Sequence, residues 1–370
     1  MSALPPTREV RERLDTAQTL TRLFYREQAV ALACGGWIPR VAPLEAKAEL
    51  GRVAWESTLA ADALRERVFE LRYPSRFLEE QAEAIQVETP DDLRALVLRL
   101  RDDYREYLDG GDDLADGPSL RVAAAALADK ERAAVALEDL GPLSPDDPAR
   151  DGRYFLSSFY WPDVLDPSYP YGDGIALQLR SAVSHVNEVW AVETAGLILH
   201  DLSPELGWEF TRDAGRWLYD ECRHMLMGLR RLESWGFEPA QVPLGGYIYE
   251  ACAGQDPLYR LGMLGYFETK NIGRKRERAE AFHDLGDSTS EIDMEFDWAD
   301  ETLHAEYGRR WLRRLLEARG EDAESWPAVL ERCEELVRDR VARAEPGELE
   351  RIRACADALV AAANAAVLHR

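Results

Sequence analysis

Two short stretches carry the same polar signature: Asp220-Glu221-x-x-His224, read DECRH, and Asp300-Glu301-x-x-His304, read DETLH. A glutamate and a histidine three apart project from one face of a helix, so both reach a single metal ion without bending the chain. One such pair is a weak signal in a chain with 69 acidic residues and 6 histidines, where a solvated helix face is the ordinary explanation. Two pairs, each preceded by aspartate, are harder to dismiss. The known use of two E-x-x-H helices is a dinuclear carboxylate site in a four-helix bundle, where each of two further helices adds one glutamate.

That arrangement demands an inward glutamate upstream of each pair. GMLGYFETKNIGRK offers Glu268, and SHVNEVWAVETAG offers Glu188 and Glu193. Glu188 precedes Glu221 by 33 residues, and Glu268 precedes Glu301 by the same 33. Equal spacing in two helical hairpins sets the paired glutamates at comparable depth. Glu188 and Glu193 lie about 140° apart around a helix, so they do not both face one metal pair. Glu188 is taken as the ligand, with Glu193 as pocket wall, supporting residue or alternative ligand. The candidate metal set is then Glu188, Glu221, His224, Glu268, Glu301 and His304, and the metal centre itself is the catalytic group. Four carboxylates balance two divalent ions; without metal they repel one another and their pKa values rise. Mixed oxygen and imidazole donors suit iron or manganese better than a thiolate-seeking metal. A metal-bound imidazole usually gives its other N–H to a carboxylate or carbonyl. Asp220 and Asp300 are therefore each expected against the histidine of the opposite helix, with Arg223 pairing one of them. Cys222 follows Glu221 by one position and is expected to pack away from the site.

Stepping along the chain, helical periodicity supplies the elements such a site requires. Candidate helices cover 8–34, 43–72, 90–108, 118–139, 174–201, 204–235, 256–285, 290–319, 326–344 and 346–368. Thr89-Pro90 and Ser203-Pro204 each read as an N-cap with proline at the first helical position. No alternating pattern predicts a strand, so the chain is expected to be all-α. Residues 141–173 are rich in proline, glycine and aromatics and read as a long connection, with a lid over a pocket as the sharper reading. LGGYIYE and CGGWIP lack the further glycines and the Lys-Ser/Thr of a phosphate loop and read as turns. Trp190, Tyr266, Phe267 and Trp298 sit beside ligand positions, as core or pocket lining. His185 and His200 read as core or surface, and His283 and His369 as peripheral.

The two halves share a trace of repetition. WESTLAADALR (55–65) aligns without gaps to DECRHMLMGLR (220–230), so Glu56 meets Glu221 and Leu59 stands opposite His224. Glu27 precedes the first copy much as Glu193 precedes the second. The expected organisation is a helical, metal-free domain over 1–145, the connection over 146–173, the metal-binding bundle over 174–319 and C-terminal helices packing on it over 320–370.

A net charge of −24 argues against nucleic acid or an anionic membrane as the main partner. The N-terminus lacks the pattern of a secretory signal, and no apolar run is long enough to span a bilayer. Five scattered cysteines without CxxC fit a reducing cytoplasm.

The set Glu188, Glu221-x-x-His224, Glu268, Glu301-x-x-His304 resembles the ferritin-like di-iron carboxylate superfamily. Its D-E-x-R-H form looks like the helix motif of bacterial multicomponent monooxygenases and ribonucleotide reductase small subunits. NEVWAVE resembles the first ligand helix of bacterioferritins. Across 174–315, the order HVNEVWAVE, DECRH, YFETKNIGR, DETLH resembles ferritin-like domains of unknown function, whose relatives include a tRNA-modifying hydroxylase. The resemblance implies a ferritin-like four-helix bundle, preceded by a degenerate copy of it. It further implies two irons that react with dioxygen, with Glu221 and Glu301 bridging. The chain departs from ferritins in its doubled length and aromatic connection, which argue against a storage cage. Its acidity argues against a tRNA substrate. The expected function is an O₂-dependent, non-heme di-iron oxidase or oxygenase acting on a small molecule. The electron donor is unspecified, and a homodimer is compatible with the reading. The rivals are a dimanganese catalase or ferroxidase with the same ligands, and a non-enzymatic, metal-stabilised scaffold.

Overall fold

The computed structural model describes residues 11–79, 81, 85–138 and 140–368. The expected N-terminal segment before residue 11, with the start of the first candidate helix, lies outside these residues, as does His369. Twelve helices dominate the described residues, and the fold is all-α. In order they are α1 (Arg13–Trp37), α2 (Leu44–Leu71), α3 (Pro90–Asp109), α4 (Asp113–Ala136), α5 (Gly174–Val186) and α6 (Val189–Leu206). There follow α7 (Trp208–Ser234), α8 (Tyr247–Ala251), α9 (Pro257–Asp284), α10 (Ser288–Ala318), α11 (Trp326–Ala342) and α12 (Glu348–Leu368). Two three-residue strands, β1 (Phe155–Ser157) and β2 (Pro243–Gly245), pair in parallel, with Leu156 opposite Leu244. The expectation of no strand is corrected by this pair. Three residues are too short to display alternation, and the pairing joins segments far apart in sequence.

The chain divides into two compact units, one made of residues 1–34 and 52–143, the other of 35–51 and 144–370. The second unit thus takes in residues 35–51, which the sequence reading placed in the first domain. In the first unit, Thr89 caps α3 through a reciprocal capping box with Asp92, and Pro90 occupies the first turn. Its core holds a buried polar knot: Glu27 is paired with Lys130 at 2.6 Å and accepts a hydrogen bond from Tyr104 at 2.8 Å. Glu56 is bonded to Arg52 and Arg132. Leu59, aligned with His224, is exposed, because α2 buries Ser57, Thr58 and Ala61 instead. The aligned first-half position therefore does not face inward.

In the second unit, α6 and α7 form one hairpin, α9 and α10 another, and the two pack together. α5 lies against α7, α11 against α9, and α12 against α5. The expected helix start at Ser203-Pro204 is corrected. Helix α6 runs through Pro204, the Ser203 hydroxyl donates back to the Leu199 carbonyl at 2.5 Å, and the break falls at Gly207, whose φ of 81° suits glycine. The expected single helix over 174–201 is interrupted at Asn187-Glu188. CGGWIP is no simple turn: Gly35 and Gly36 belong to α1, and a Cβ on Gly35 would meet the Gly196 carbonyl oxygen at 2.7 Å, so the glycines permit a close helix contact. LGGYIYE likewise splits into the end of β2 and the short α8.

Candidate metal centre

The break between α5 and α6 sets the first side chain of the site. Asn187 donates to the carbonyls of Val183 at 2.8 Å and Pro243 at 2.9 Å, and its own oxygen accepts from the Gly245 amide at 2.8 Å. It thereby trades helix continuity for a clamp onto β2, and Glu188 follows at the head of α6. Helix α7 contributes Glu221 and His224, α9 contributes Glu268, and α10 contributes Glu301 and His304. Except for Glu188, which is partly buried, all are buried.

These residues converge as three overlapping groups in which one donor atom from each member lies within 4.8 Å of the others. The groups are Glu188, Glu221 and His224; Glu221, Glu268 and His304; and His224, Asp297 and Glu301. Glu221 is common to the first two. Its Oε2 lies 3.7 Å from His224 Nδ1 and its Oε1 lies 3.3 Å from His304 Nδ1. Trp217 Nε1 donates to Oε1 at 3.0 Å and stacks on the His304 ring. The far ring nitrogens face aspartates on the opposite helices: His224 Nε2 lies 3.4 Å from Asp300, and His304 Nε2 lies 3.3 Å from Asp220. A carboxylate only accepts, so each Nε2 carries a hydrogen, which leaves Nδ1 of the neutral ring a lone pair to turn toward the cluster. Arg223 donates to both aspartates, at 2.7 and 2.8 Å, and Arg216 reaches the same two.

Glu193 is not part of the cluster. It is fully buried elsewhere, paired with Lys47 at 3.0 Å and with Arg150. Its designation as alternative ligand is corrected: five residues from Glu188, it points to another face of α6. Cys222 is buried outside the donor groups, where a Cβ on Gly51 would collide with its sulfur.

Sequence reasoning missed Asp297 and Lys275. Lys275 is buried and donates to Asp297 at 2.6 Å and to Glu301 Oε1 at 2.5 Å. For Asp297 the spacing was a usable signal, since it lies one turn before Glu301 on the same helix face. His185, read as core or surface, is buried beside the cluster. Arg231 donates to its Nδ1 at 2.6 Å, so its Nε2 donates to Asp297 at 3.1 Å. Burial, helped by the Arg231 charge, pushes His185 down to about 3 and keeps it neutral.

The electrostatics are those of a crowded anion site. Burial raises the Glu188, Glu268 and Glu301 carboxyls, with neighbouring carboxylates adding to the effect. Burial opposes ionisation of Glu221 too, but His224 and His304 outweigh it and hold the group at about 2. Burial would lower His224 and His304, yet the carboxylates around them raise both. Asp297 falls, because Lys275 and His224 outweigh its burial. Five carboxylates and one ammonium leave four negative charges, which two divalent cations would cancel.

Four buried polar atoms in the cluster have no hydrogen-bond partner: His224 Nδ1, His304 Nδ1, Glu188 Oε2 and Glu301 Oε2. Orphaned buried polar atoms are costly and call for an explanation. Metal ions held by these groups would supply partners for all four, and the donor types fit iron or manganese. The geometry therefore defines a group of acidic and histidine side chains able to bind metal. One side of it opens onto a cavity of about 200 Å³ that Glu188, Glu221, Glu268 and Glu301 help to line. Trp190 and Phe267 form part of the wall, their rings 5.2 Å apart, as do Tyr160 and Tyr171 from the connection. Trp298 is partly exposed instead, and Tyr266 bonds Lys270.

Residues 173–354, just under half of the chain, match the model of a family, DUF455, described as protein of unknown function. Every residue of the cluster falls inside that match. No curated protein and no solved structure matches the chain. No described helix is long and apolar enough to cross a membrane.

Proposed function

We propose that this protein is a non-heme di-iron, O₂-dependent oxidase or oxygenase of ferritin-like type, acting on a small organic molecule. The observation that carries the reading is the set of four orphaned donor atoms on a buried Glu/His cluster that borders a cavity. In this reading Glu188, Glu221, His224, Glu268, Glu301 and His304 would hold the two ions. When bound, a di-iron centre supplies dioxygen activation for oxidation of a neighbouring molecule. The protein's own part is positional. Asp220 and Asp300 fix the tautomer and plane of the two imidazoles, while Arg216 and Arg223 neutralise those aspartates. Lys275 steadies Glu301 and Asp297. The cavity walled in part by Trp190, Phe267, Tyr160 and Tyr171 leaves room for a substrate, which a storage or ferroxidase role does not require.

Anaerobic Fe(II) titration followed by oxygen exposure tests this. About two irons per chain, oxygen uptake and a transient visible absorption are expected. Glu221→Ala and His304→Ala should each abolish stoichiometric loading; unchanged metal content in both would overturn the site. Peroxide disproportionation by manganese-loaded protein, without oxygen uptake by the iron form, would instead favour a catalase.

A further inference from the structure

The cavity beside the cluster carries positive charge at one end. Arg180 is buried, with only 6% of its surface exposed. Its Nε and Nη2 donate to Asp163 Oδ2 at 3.2 and 3.1 Å, and the guanidinium lies against the rings of Tyr160 and Tyr171. Its Nη1 has no partner, and neither does the Tyr171 hydroxyl. Arg278 also packs on the Tyr171 ring, 4.7 Å from its centroid. Asp163 cancels one of the two guanidinium charges, and its second oxygen is unpartnered as well. The end of the cavity thus holds two orphan donors and one net positive charge. Its remaining wall includes the apolar faces of Trp190, Phe267 and Ile248.

We infer that the cavity binds a compact monocarboxylate with an apolar body, its carboxylate held by Arg180 Nη1 and the Tyr171 hydroxyl. This rests on the reading of the adjoining cluster as the reactive centre, because it makes the carboxylate the handle that turns the apolar body toward Glu188 and Glu221. An arginine prefers a planar carboxylate partner, and one net charge suits a monoanion better than a phosphate ester. The volume of about 200 Å³ is below the ~300–1,000 Å³ usual for drug-sized ligands, so the body is small.

Calorimetric titration of the full chain with phenylacetate, phenylacetamide and phenyl phosphate tests the inference, with protein as purified and after Fe(II) loading under argon. Phenylacetate should bind at least about tenfold more tightly than the amide, the scale of one charge-assisted hydrogen bond. Arg180→Gln should remove that preference while leaving amide affinity and iron content unchanged. Tyr171→Phe and Arg278→Gln, which leave the Arg180–Asp163 pair intact, should each weaken phenylacetate alone and serve if Arg180→Gln does not fold. Equal affinity for acid and amide, tighter binding of phenyl phosphate, or an acid preference that survives these substitutions would overturn the inference. Iron loading is read separately, so a chain that loads iron but shows no acid preference fails only here. A chain that shows the preference but binds no iron fails only the di-iron reading.

Discussion

Asp220 and Asp300 each precede a glutamate of the cluster in sequence but face the histidine of the other helix in space. Their hydrogen bonds decide which imidazole nitrogen is free to bind, so Asp220→Asn or Asp300→Asn should lower metal affinity about 10–100-fold without removing a ligand. Competitive metal titration would measure it, and unchanged affinity in both would show the contacts to be incidental. Titration adds a second expectation. His224 and His304 are raised above their ordinary 6.5, and Glu188, Glu268 and Glu301 above 4.5, so the metal-free folded state holds protons that the unfolded chain has lost. Their stabilisation is therefore complete below those ordinary values and declines as pH rises toward the raised ones. The melting temperature of metal-free protein should fall as pH climbs through neutrality, and metal should flatten that slope while releasing protons. Titration calorimetry in buffers of different ionisation enthalpy would count the protons, and none released would refute the account. All six proposed ligands were legible as residue types at helical spacing. Lys275 was not, because a lone lysine on a helix announces nothing until its carboxylate partners are known.

The elements were legible where local chemistry marks them. Thr89-Pro90 was readable as a helix start because the cap is completed within four residues. The interruption at Asn187-Glu188 was not, since what stabilises it is a clamp to residues 243 and 245. Helices α9 and α10 meet at paired glycines, where a Cβ on Gly308 would lie 2.8 Å from the Gly265 Cα. Gly308→Ala should push apart the two helices that carry Glu268, Glu301 and His304, at a cost of about 1–3 kcal/mol. Chemical denaturation would show the loss, and iron affinity should fall with it. Full retention of both would mean that the helices have slack at this crossing.

Across the whole molecule, buried ions occur in both units: the first holds the Glu27–Lys130 pair, and the second a cluster with more carboxylates than cations. In the first unit's knot, Lys130 and Tyr104 both hold the Glu27 carboxylate. Glu27→Ala would strand the buried Lys130 ammonium, so it should destabilise the chain by about 3–5 kcal/mol. Equilibrium unfolding would register this, and Lys130→Met in the Glu27→Ala background should recover part of it; no loss in the single variant would contradict the burial. The whole-chain acidity, by contrast, was plain from composition and needs no fold to act. Finally, β2 is a shared fastening. One edge of it pairs with β1, which leads into the chain carrying Tyr160 and Tyr171, while Asn187 grips its backbone just before Glu188. Cavity wall and corner carboxylate therefore hang from the same hook, and a molecule that levers the wall aside to enter would slacken Glu188 in the same stroke.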